Sequence, residues 1–299
     1  GWTHMWPQNW APTFAFSTAT DLASSLGVDL EVSDPLAHHT LIALINRLPD
    51  EGAVGFSGSY AYRRLRPTFG LSVAHRTRTR PSAAYYDGQR QPWRERVSVA
   101  GTSINLPIRL GALGVGASLG YNVAWTQPAD NLEPRFDPVD EGPNFPDESR
   151  NASLTLSISL GNTDKFFDSI SIESGWSAQT SLRIRRPELG GDVESAELFV
   201  NLRGYIPIVN RQVLAMSLRT ANGRGDGRFR PAYGFGEPTQ RNIIMDALDE
   251  INFGNGFLRG YPANTVTGNR YVFLRAEYRL PIIEIFSGVE TIPLFMKRL

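Results

Sequence analysis

The chain has 299 residues with equal numbers of basic and acidic side chains and a formal net charge of zero, which gives nucleic-acid binding no electrostatic support. It contains no Cys, which excludes disulfides, thiolate metal sites and a cysteine nucleophile. Its apolar runs are shorter than the roughly 20 residues that a transmembrane helix needs, so a helical membrane protein is excluded.

The chain starts at Gly1 without an initiator Met or a signal peptide, so we expect a fragment of a longer protein, with residues 1–299 forming a single domain. Its first residues place Trp2, Trp6 and Trp10 close together. These indoles fit either an aromatic belt at a membrane interface or an apolar plug under a neighbouring domain.

From Trp10 onward, polar and apolar residues alternate with the period of β-strands, and turn residues separate the alternating segments. The phase of the alternation slips between residues 97 and 108, which predicts a bulge near Gly101. Eleven strands are predicted in this part of the chain: 10–18, 26–33, 38–48, 52–65, 67–79, 93–109, 112–126, 150–161, 168–185, 194–206 and 210–221.

The predicted connections differ in length on the two sides of the sheet. The long polar connections follow odd-numbered strands, at 80–92, 127–149, 186–193 and 222–269, whereas the connections after even-numbered strands are tight, 162–167 being the longest. Most predicted strands also reach the about 9 to 11 residues that a tilted membrane-spanning strand needs. This pattern predicts an all-β, transmembrane, antiparallel up-and-down β-barrel with a long extracellular loop at 222–269.

The stretch 256–281 reads GFLRGYPANTVTGNRYVFLRAEYRLP and joins this loop to a strongly alternating segment. One face of the segment is apolar, and the other holds Glu277 between Arg275 and Arg279. Because unpaired charge is heavily penalised in a dry core, this alternation indicates a polar interior and an apolar exterior. The apolar face consists of Val272, Leu274, Ala276, Tyr278 and Leu280.

These residues resemble the sixth-loop and following-strand signature of the bacterial surface-antigen superfamily, the outer-membrane barrels of BamA and TamA. In that family the loop arginine folds back into the lumen and meets an acid on the next strand, so the resemblance implies that Arg259 pairs with Glu277. The carried-over motifs are Arg259, Gly260 and Tyr261 in the loop, and Gly268, Asn269, Glu277, Tyr278 and Pro281 on the strand.

The strand count agrees with this resemblance, since eleven preceding strands make 222–269 the sixth outer loop. The family has sixteen strands, and about thirteen are expected here, with the twelfth at 270–282, the start of the thirteenth at 289–299 and the rest beyond Leu299. The phrases WPQNWAPTF, DPLAHHT, SYAYRRLRPTFGLS and VETIPLFMKRL resemble proteins that join a TolB-type β-propeller to such a barrel. We therefore expect a periplasmic propeller before Gly1 and see no POTRA domain.

Each candidate site has a simpler interpretation. Arg259 is interpreted as a structural pin of the loop, the alternatives being a solvated loop arginine or a ligand site; the repeat of its tripeptide at 203–205 is read as a lumen-facing Arg203 within a strand. The sequence 116–120 matches G-x-S-x-G but lies in a predicted strand, whereas a nucleophile elbow needs a turn and a helix. The four histidines lack metal-ligand spacing, so we expect no enzyme activity, metal or cofactor.

The resemblance implies a location in the bacterial outer membrane and a role in the insertion or translocation of other polypeptides. The partners would be outer-membrane lipids, client polypeptides and a periplasmic domain, with no nucleic acid. The family's seam would lie between the first strand, 10–18, and a sixteenth strand. The alternatives are a passive or gated solute channel and a membrane anchor for the propeller.

Overall fold

The structure is a computed structural model that describes residues 6–15, 25–48, 53–86, 89–129, 148–164, 171–209, 212–225, 231, 233–235, 266–280, 284–288 and 295–298. The described residues are mostly strand, with one 3-10 turn at Pro187–Leu189. In this part of the chain, no helix is long and apolar enough to cross a membrane. The strands are β1 (Trp6–Ala15), β2 (Ser25–Ser33), β3 (His39–Leu48), β4 (Ala53–Tyr62), β5 (Thr68–Tyr86), β6 (Gln89–Leu110), β7 (Leu113–Pro128), β8 (Ser149–Gly161), β9 (Gly175–Arg185), β10 (Ser195–Pro207), β11 (Val213–Gly225), β12 (Tyr233–Phe235), β13 (Val266–Gly268), β14 (Arg270–Arg279), β15 (Glu284–Gly288) and β16 (Phe295–Arg298).

Twelve of these strands form one antiparallel sheet in the order β1-β2-β3-β4-β5-β6-β7-β8-β9-β10-β11-β14. Each strand lies beside the next one in the chain, so the sheet is an up-and-down meander. Two short hairpins, β12 with β13 and β15 with β16, are separate two-stranded sheets. The eleven predicted strands and the twelfth are therefore confirmed as elements, with bounds that differ by up to 7 residues, as at the end of β5 and the start of β9.

The prediction of a long loop at 80–92 is wrong. β5 continues to Tyr86 and β6 begins at Gln89, and the two strands pair from Thr68 opposite Asn105 to Tyr86 opposite Gln89, with one register shift between Arg80 and Ala84. The polar composition of this stretch indicated a loop, but strand pairing needs only backbone groups, which polar residues also supply.

Strand β9 begins at Gly175, later than the predicted residue 168, so the link after β8 is longer than expected. Gly175 has a φ of +94°, a conformation that glycine adopts without strain. A Cβ at this position would lie 2.9 Å from Cα of Thr163, which leaves no room for a side chain. The backbone turn at Gly175 therefore sets the start of β9.

The bulge predicted near Gly101 is also absent from the β5–β6 pairing, whose register is continuous through Gly101 opposite Ser72. A Cβ at Gly101 would lie 2.8 Å from Oγ of Ser72 and would overlap Oδ1 of Asn122, so the strands approach closely here. Val97 is buried and Ile104 is exposed. The apolar residues thus change face along a regular strand.

The predicted thirteenth segment, 289–299, is a strand over Phe295–Arg298, where it pairs with β15 and not with β14. A short link between two strands favours such local pairing, because the loop that must be closed is small. The predicted loops 127–149 and 222–269 lie largely outside the described residues.

The chain divides into two compact units. The first unit is Gly1–Leu106, Ser118–Thr155 and Ile184–Glu194, and the second is Pro107–Ala117, Leu156–Arg183 and Ser195–Leu299. The first unit contains β1 to β5 and most of β6. The second contains β10, β11 and β14, which form the candidate site, together with a small buried cluster of Tyr205, Val213 and Ala215, against which Ile172 packs.

Candidate functional site

Strand β14 has two faces of opposite character, and its burial alternates residue by residue. On the face that we call outward, Val272 is 75% and Leu274 is 72% exposed. On the inward face, the side chains of Arg275, Glu277 and Arg279 are only 21%, 23% and 19% exposed. The predicted alternation is confirmed, and it is the reverse of the pattern in a water-soluble protein, where charged groups take the exposed positions.

Glu277 lies between two arginines of its own strand. One carboxylate oxygen contacts the guanidinium of Arg275, and the other accepts hydrogen bonds from Nη2 of Arg279 at 3.1 Å and from Nε of Arg279 at 3.3 Å. Inward residues two positions apart are about 6.8 Å apart along a strand, a distance that arginine side chains span easily. The charge of Glu277 is therefore compensated within β14.

The strand beside β14 presents small residues to the same inward face. Ala215, Ser217 and Ala221 of β11 are 0%, 2% and 1% exposed. In the register these residues lie opposite Glu277, Arg275 and Tyr271 of β14, respectively. Small side chains in the middle strand leave room above it, so the long side chains of the flanking strands can lie over β11.

The inward face of β10 adds further large polar groups. Arg203 lies opposite Ser217, so one row across the three strands reads Arg203, Ser217, Arg275. Arg219 occupies the next inward position on β11, opposite Asn201. The guanidinium of Arg279 lies 5.9 Å from the ring centroid of Tyr205 in a cation–π contact. Arginines from three adjacent strands thus share one wall.

The hairpin of β12 and β13, which belongs to the long connection between β11 and β14, packs over this inward face. The rings of Tyr233 and Tyr271 meet edge to face at 5.3 Å between centroids. A Cβ on Gly223 would lie 2.7 Å from Cβ of Pro231, so glycine is required for this approach. Where it is described, the connection therefore returns to the inward side of the sheet.

The residues of the predicted strand motif do not all lie in one strand. Gly268 pairs with Tyr233 in the hairpin. Asn269 joins β14 to β11, since its backbone oxygen accepts a hydrogen bond from the N–H of Gly223 at 2.8 Å and its Nδ2 donates to the oxygen of Gly223 at 3.3 Å. Asn269 thus anchors the point where the hairpin enters the sheet.

Tyr278 lies on the outward face, opposite in direction to Glu277, and its hydroxyl donates a hydrogen bond to Oε1 of Gln212 in the turn before β11. The side chains of the adjacent residues Glu277 and Tyr278 therefore lie on opposite faces of the sheet.

Four predicted site residues, Arg259, Gly260, Tyr261 and Pro281, lie outside the described residues, so the pair of Arg259 with Glu277 stays a prediction. Sequence reasoning did not single out Arg219 as part of the site. The alternation of β11 does place Arg219 on the same face as Ser217 and Ala215, which are two and four positions away. The register that brings Arg219 close to Arg203, however, depends on both strands and is not encoded in either strand alone.

The other candidates occupy structural positions. The G-x-S-x-G sequence lies inside β7, without the turn and helix of a nucleophile elbow. His39 contacts the hydroxyl of Tyr60 through Nδ1 at 2.7 Å. The backbone N–H of His39 donates to Oδ1 of Asp34 at 2.6 Å, and this bond holds the pKa of Asp34 below its usual value. Among the described residues, no group of three or more His, Cys, Asp or Glu is placed to hold a metal ion.

No known protein family and no curated protein matches the chain by sequence. Solved structures do match its fold. BamA from Haemophilus ducreyi lacking POTRA domains 1-3 superposes with a TM-score of 0.55 at 14% identity, covering 95% of this chain and 60% of that one. CdiB from Escherichia coli superposes with a TM-score of 0.53 at 11% identity, covering 92% of this chain and 48% of that one.

The chain therefore spans 60% and 48% of the length of these two structures. At such low identities the likeness concerns the fold alone. It shows that the chain has the antiparallel up-and-down β-barrel fold of these proteins, as the alternation predicts.

Proposed function

We propose that this chain is a β-barrel of the bacterial outer membrane that takes part in the insertion or translocation of other polypeptides. The observation that supports this proposal is the reversed polarity of β14, which exposes Val272 and Leu274 while Arg275, Glu277 and Arg279 are partly buried. Hydrocarbon is the solvent that favours such an arrangement, because it removes the exposed apolar side chains from water and leaves the charges inside.

Exposed apolar residues also lie along another strand. On β5, Phe69, Leu71 and Val73 are exposed at every second position. A soluble monomer rarely exposes contiguous apolar patches of more than a few hundred Å². Membrane lipids are therefore the first partner that we propose for the outward face.

The role in polypeptide assembly rests on two supports. The sequence around Glu277 resembles the strand motif of the surface-antigen barrels, and the fold is similar to that of BamA. A barrel of this class acts on client polypeptides, which we propose as the second partner. The periplasmic TolB-type propeller expected from the sequence phrases is a proposal of the same kind, and so is the absence of an enzymatic role.

Reconstitution into phospholipid vesicles tests this function. Unfolded client barrel protein is added to vesicles with and without the full chain, and the fraction of folded client is followed over time by its resistance to protease. We expect faster folding in vesicles that contain the chain. Equal rates in both kinds of vesicle contradict an insertion role.

A solute channel is the second candidate, because the inward face of β11 and β14 combines the charged groups of Arg275 and Glu277 with small residues such as Ser217. A polar interior is typical of water-filled barrels. Swelling of vesicles in solutes of increasing size tests this candidate. Swelling without accelerated client folding favours the channel. If the vesicles show neither swelling nor accelerated folding, a membrane anchor is favoured.

A further inference from the structure

We propose that the turn between β4 and β5 binds the phosphate groups of anionic phospholipids at the membrane surface. We call it the basic turn and define it by Arg64, Leu65 and Arg66. The inference rests on the proposed function, since it names the lipid class that the membrane-spanning sheet binds and the place where binding occurs.

The basic turn lies next to a row of aromatic side chains. His39, Tyr62 and Phe69 lie opposite one another on β3, β4 and β5, and the rings of His39 and Tyr62 are 5.0 Å apart between centroids. Phe69 is the first of the apolar residues that β5 exposes at every second position. Aromatic residues are enriched where the apolar surface of a barrel meets the lipid headgroups. The row therefore marks one border of the lipid-facing surface, and the basic turn lies just beyond it.

The length of β3 agrees with this border. Arg47 is exposed and lies on the same side of β3 as His39, 8 residues further along the strand. Eight residues of strand rise about 27 Å, which corresponds to about 19–22 Å of bilayer thickness at a strand tilt of about 35–45°. The apolar band of a membrane barrel is about 25 Å tall. His39 and Arg47 thus lie near opposite borders of such a band, and the basic turn belongs to the headgroup region beside His39.

The cationic groups of the basic turn are available to a ligand. Arg64 and Arg66 are both exposed, and neither guanidinium contacts an acidic side chain among the residues that the structure describes. The connection itself contains no acid, because residues 62–68 read YRRLRPT. An anion that approaches this turn therefore has no carboxylate of the same turn to displace.

Other groups hold the turn in place. The N–H of Arg63 donates a hydrogen bond to the carbonyl oxygen of His38 at 2.7 Å, and Nη1 of Arg63 donates to Oγ1 of Thr40 at 3.1 Å. The acid of the adjacent β2–β3 turn, Asp34, accepts a hydrogen bond from the N–H of His39 at 2.6 Å. The position of the basic turn is thus fixed by bonds that leave its two arginines unoccupied.

Phosphate is the ligand that this arrangement suits. A guanidinium binds phosphate oxygens through parallel N–H···O bonds, and a long arginine side chain near a membrane border reaches the headgroups while its stem stays against apolar surface. Leu65 is exposed between the two arginines and can lie against the glycerol and upper acyl region of a lipid. A zwitterionic lipid also carries a phosphate, but its ammonium group cancels the net attraction, so we expect the turn to prefer anionic lipids.

Fluorescence quenching at the neighbouring turn tests the proposal. The chain has no Cys, so Leu36→Cys introduces a single labelling site, at an exposed residue of the β2–β3 turn. The fluorophore-labelled full chain is reconstituted in phosphatidylcholine vesicles that contain a small fraction of lipid with a nitroxide on the acyl chain near the headgroup. This quenching lipid is either phosphatidylglycerol, which is anionic, or phosphatidylcholine. We expect phosphatidylglycerol to quench at the lower mole fraction.

Variants of the basic turn identify the groups responsible. In the labelled chain, the double variant Arg64→Gln, Arg66→Gln should lower the preference for phosphatidylglycerol by at least about fivefold, the effect of one basic side chain near an anionic membrane surface. The double variant Arg64→Lys, Arg66→Lys keeps both charges and should retain most of the preference. The matched control is Arg47→Gln, which removes an exposed arginine from the far end of β3 and should leave the preference unchanged.

Heat-modifiable migration in gel electrophoresis verifies that each variant is folded. Equal quenching by the two lipids in the parent chain overturns the proposal, and so does an unchanged preference in the double glutamine variant. Absence of quenching by either lipid also overturns it, because the turn would then lie away from the bilayer.

The client-folding assay separates this proposal from the proposed function. If the parent chain accelerates client folding but its label is quenched equally by both lipids, the basic turn is not a lipid site although the function holds. If the preference depends on Arg64 and Arg66 as expected but client folding is not accelerated, the lipid site stands and the insertion role fails.

Discussion

Replacing Leu274 by Arg distinguishes a lipid-facing sheet from a water-exposed one. Leu274 lies near the middle of β14 and its side chain is 72% exposed on the outward face. In water, a charged residue at so exposed a position changes the free energy of unfolding by about 0.5 kcal/mol or less. In a bilayer, an arginine on the lipid face near the midplane costs about 2–4 kcal/mol.

We expect the larger loss. A destabilisation of about 3 kcal/mol reduces the ratio of folded to unfolded chain by about 150-fold. Equilibrium unfolding by urea in the presence of phospholipid vesicles measures this difference, with the fluorescence of the 6 tryptophans as the signal. The midpoint should fall while the slope stays the same, since the surface exposed on unfolding hardly changes.

The matched control is Leu65→Arg, because Leu65 is an equally apolar, exposed residue that lies in the turn between β4 and β5 and not in a strand. A charge near the interface costs about 0–1 kcal/mol. Equal midpoints for Leu274→Arg and Leu65→Arg refute the assignment of the outward face to lipid.

Three further predictions address the inward loop and the turns. Gly223→Ala places a Cβ 2.7 Å from a proline ring of the loop, so we expect a destabilisation of about 1–3 kcal/mol and faster proteolysis of the long loop; Gly204→Ala, where a Cβ meets nothing within 4 Å, should leave both unchanged. The carboxylate of Asp34, whose pKa is lowered by the N–H of His39, stabilises its turn above its usual pKa of 3.8, and this contribution is lost as the pH falls below that value. The protection of the His39 amide, measured as its exchange rate relative to that of an unstructured peptide at the same pH, should therefore fall in acid in the parent chain, and a similar fall in Asp34→Asn contradicts the assignment. Arg259→Ala should leave the sheet folded but open the long loop to protease, and unchanged cleavage would show that this arginine does not pin the loop.

Much of the fold was readable from the sequence because the period of two is local. The residues of a single strand are enough to identify its two faces. In β14, for example, Val272 and Leu274 lie on one side and Glu277 lies on the other. The tight turns were readable for the same reason. The sequence predicts part of the candidate site. It places Glu277 and its neighbouring arginines on one face and includes Asn269 in the strand motif. It does not predict the hydrogen bonds between Asn269 and Gly223.

The tertiary structure decided what depends on the register between strands. The row of Arg203, Ser217 and Arg275 joins residues from three strands, and no pattern within one strand specifies which partner lies opposite. Likewise, the phase slip near Gly101 predicted a bulge, and only the continuous pairing of Gly101 with Ser72 showed that the apolar residues change face along a regular strand instead. Alternation is set by the backbone of each residue, whereas register is set by the sum of many cross-strand contacts, and only the folded sheet contains that sum.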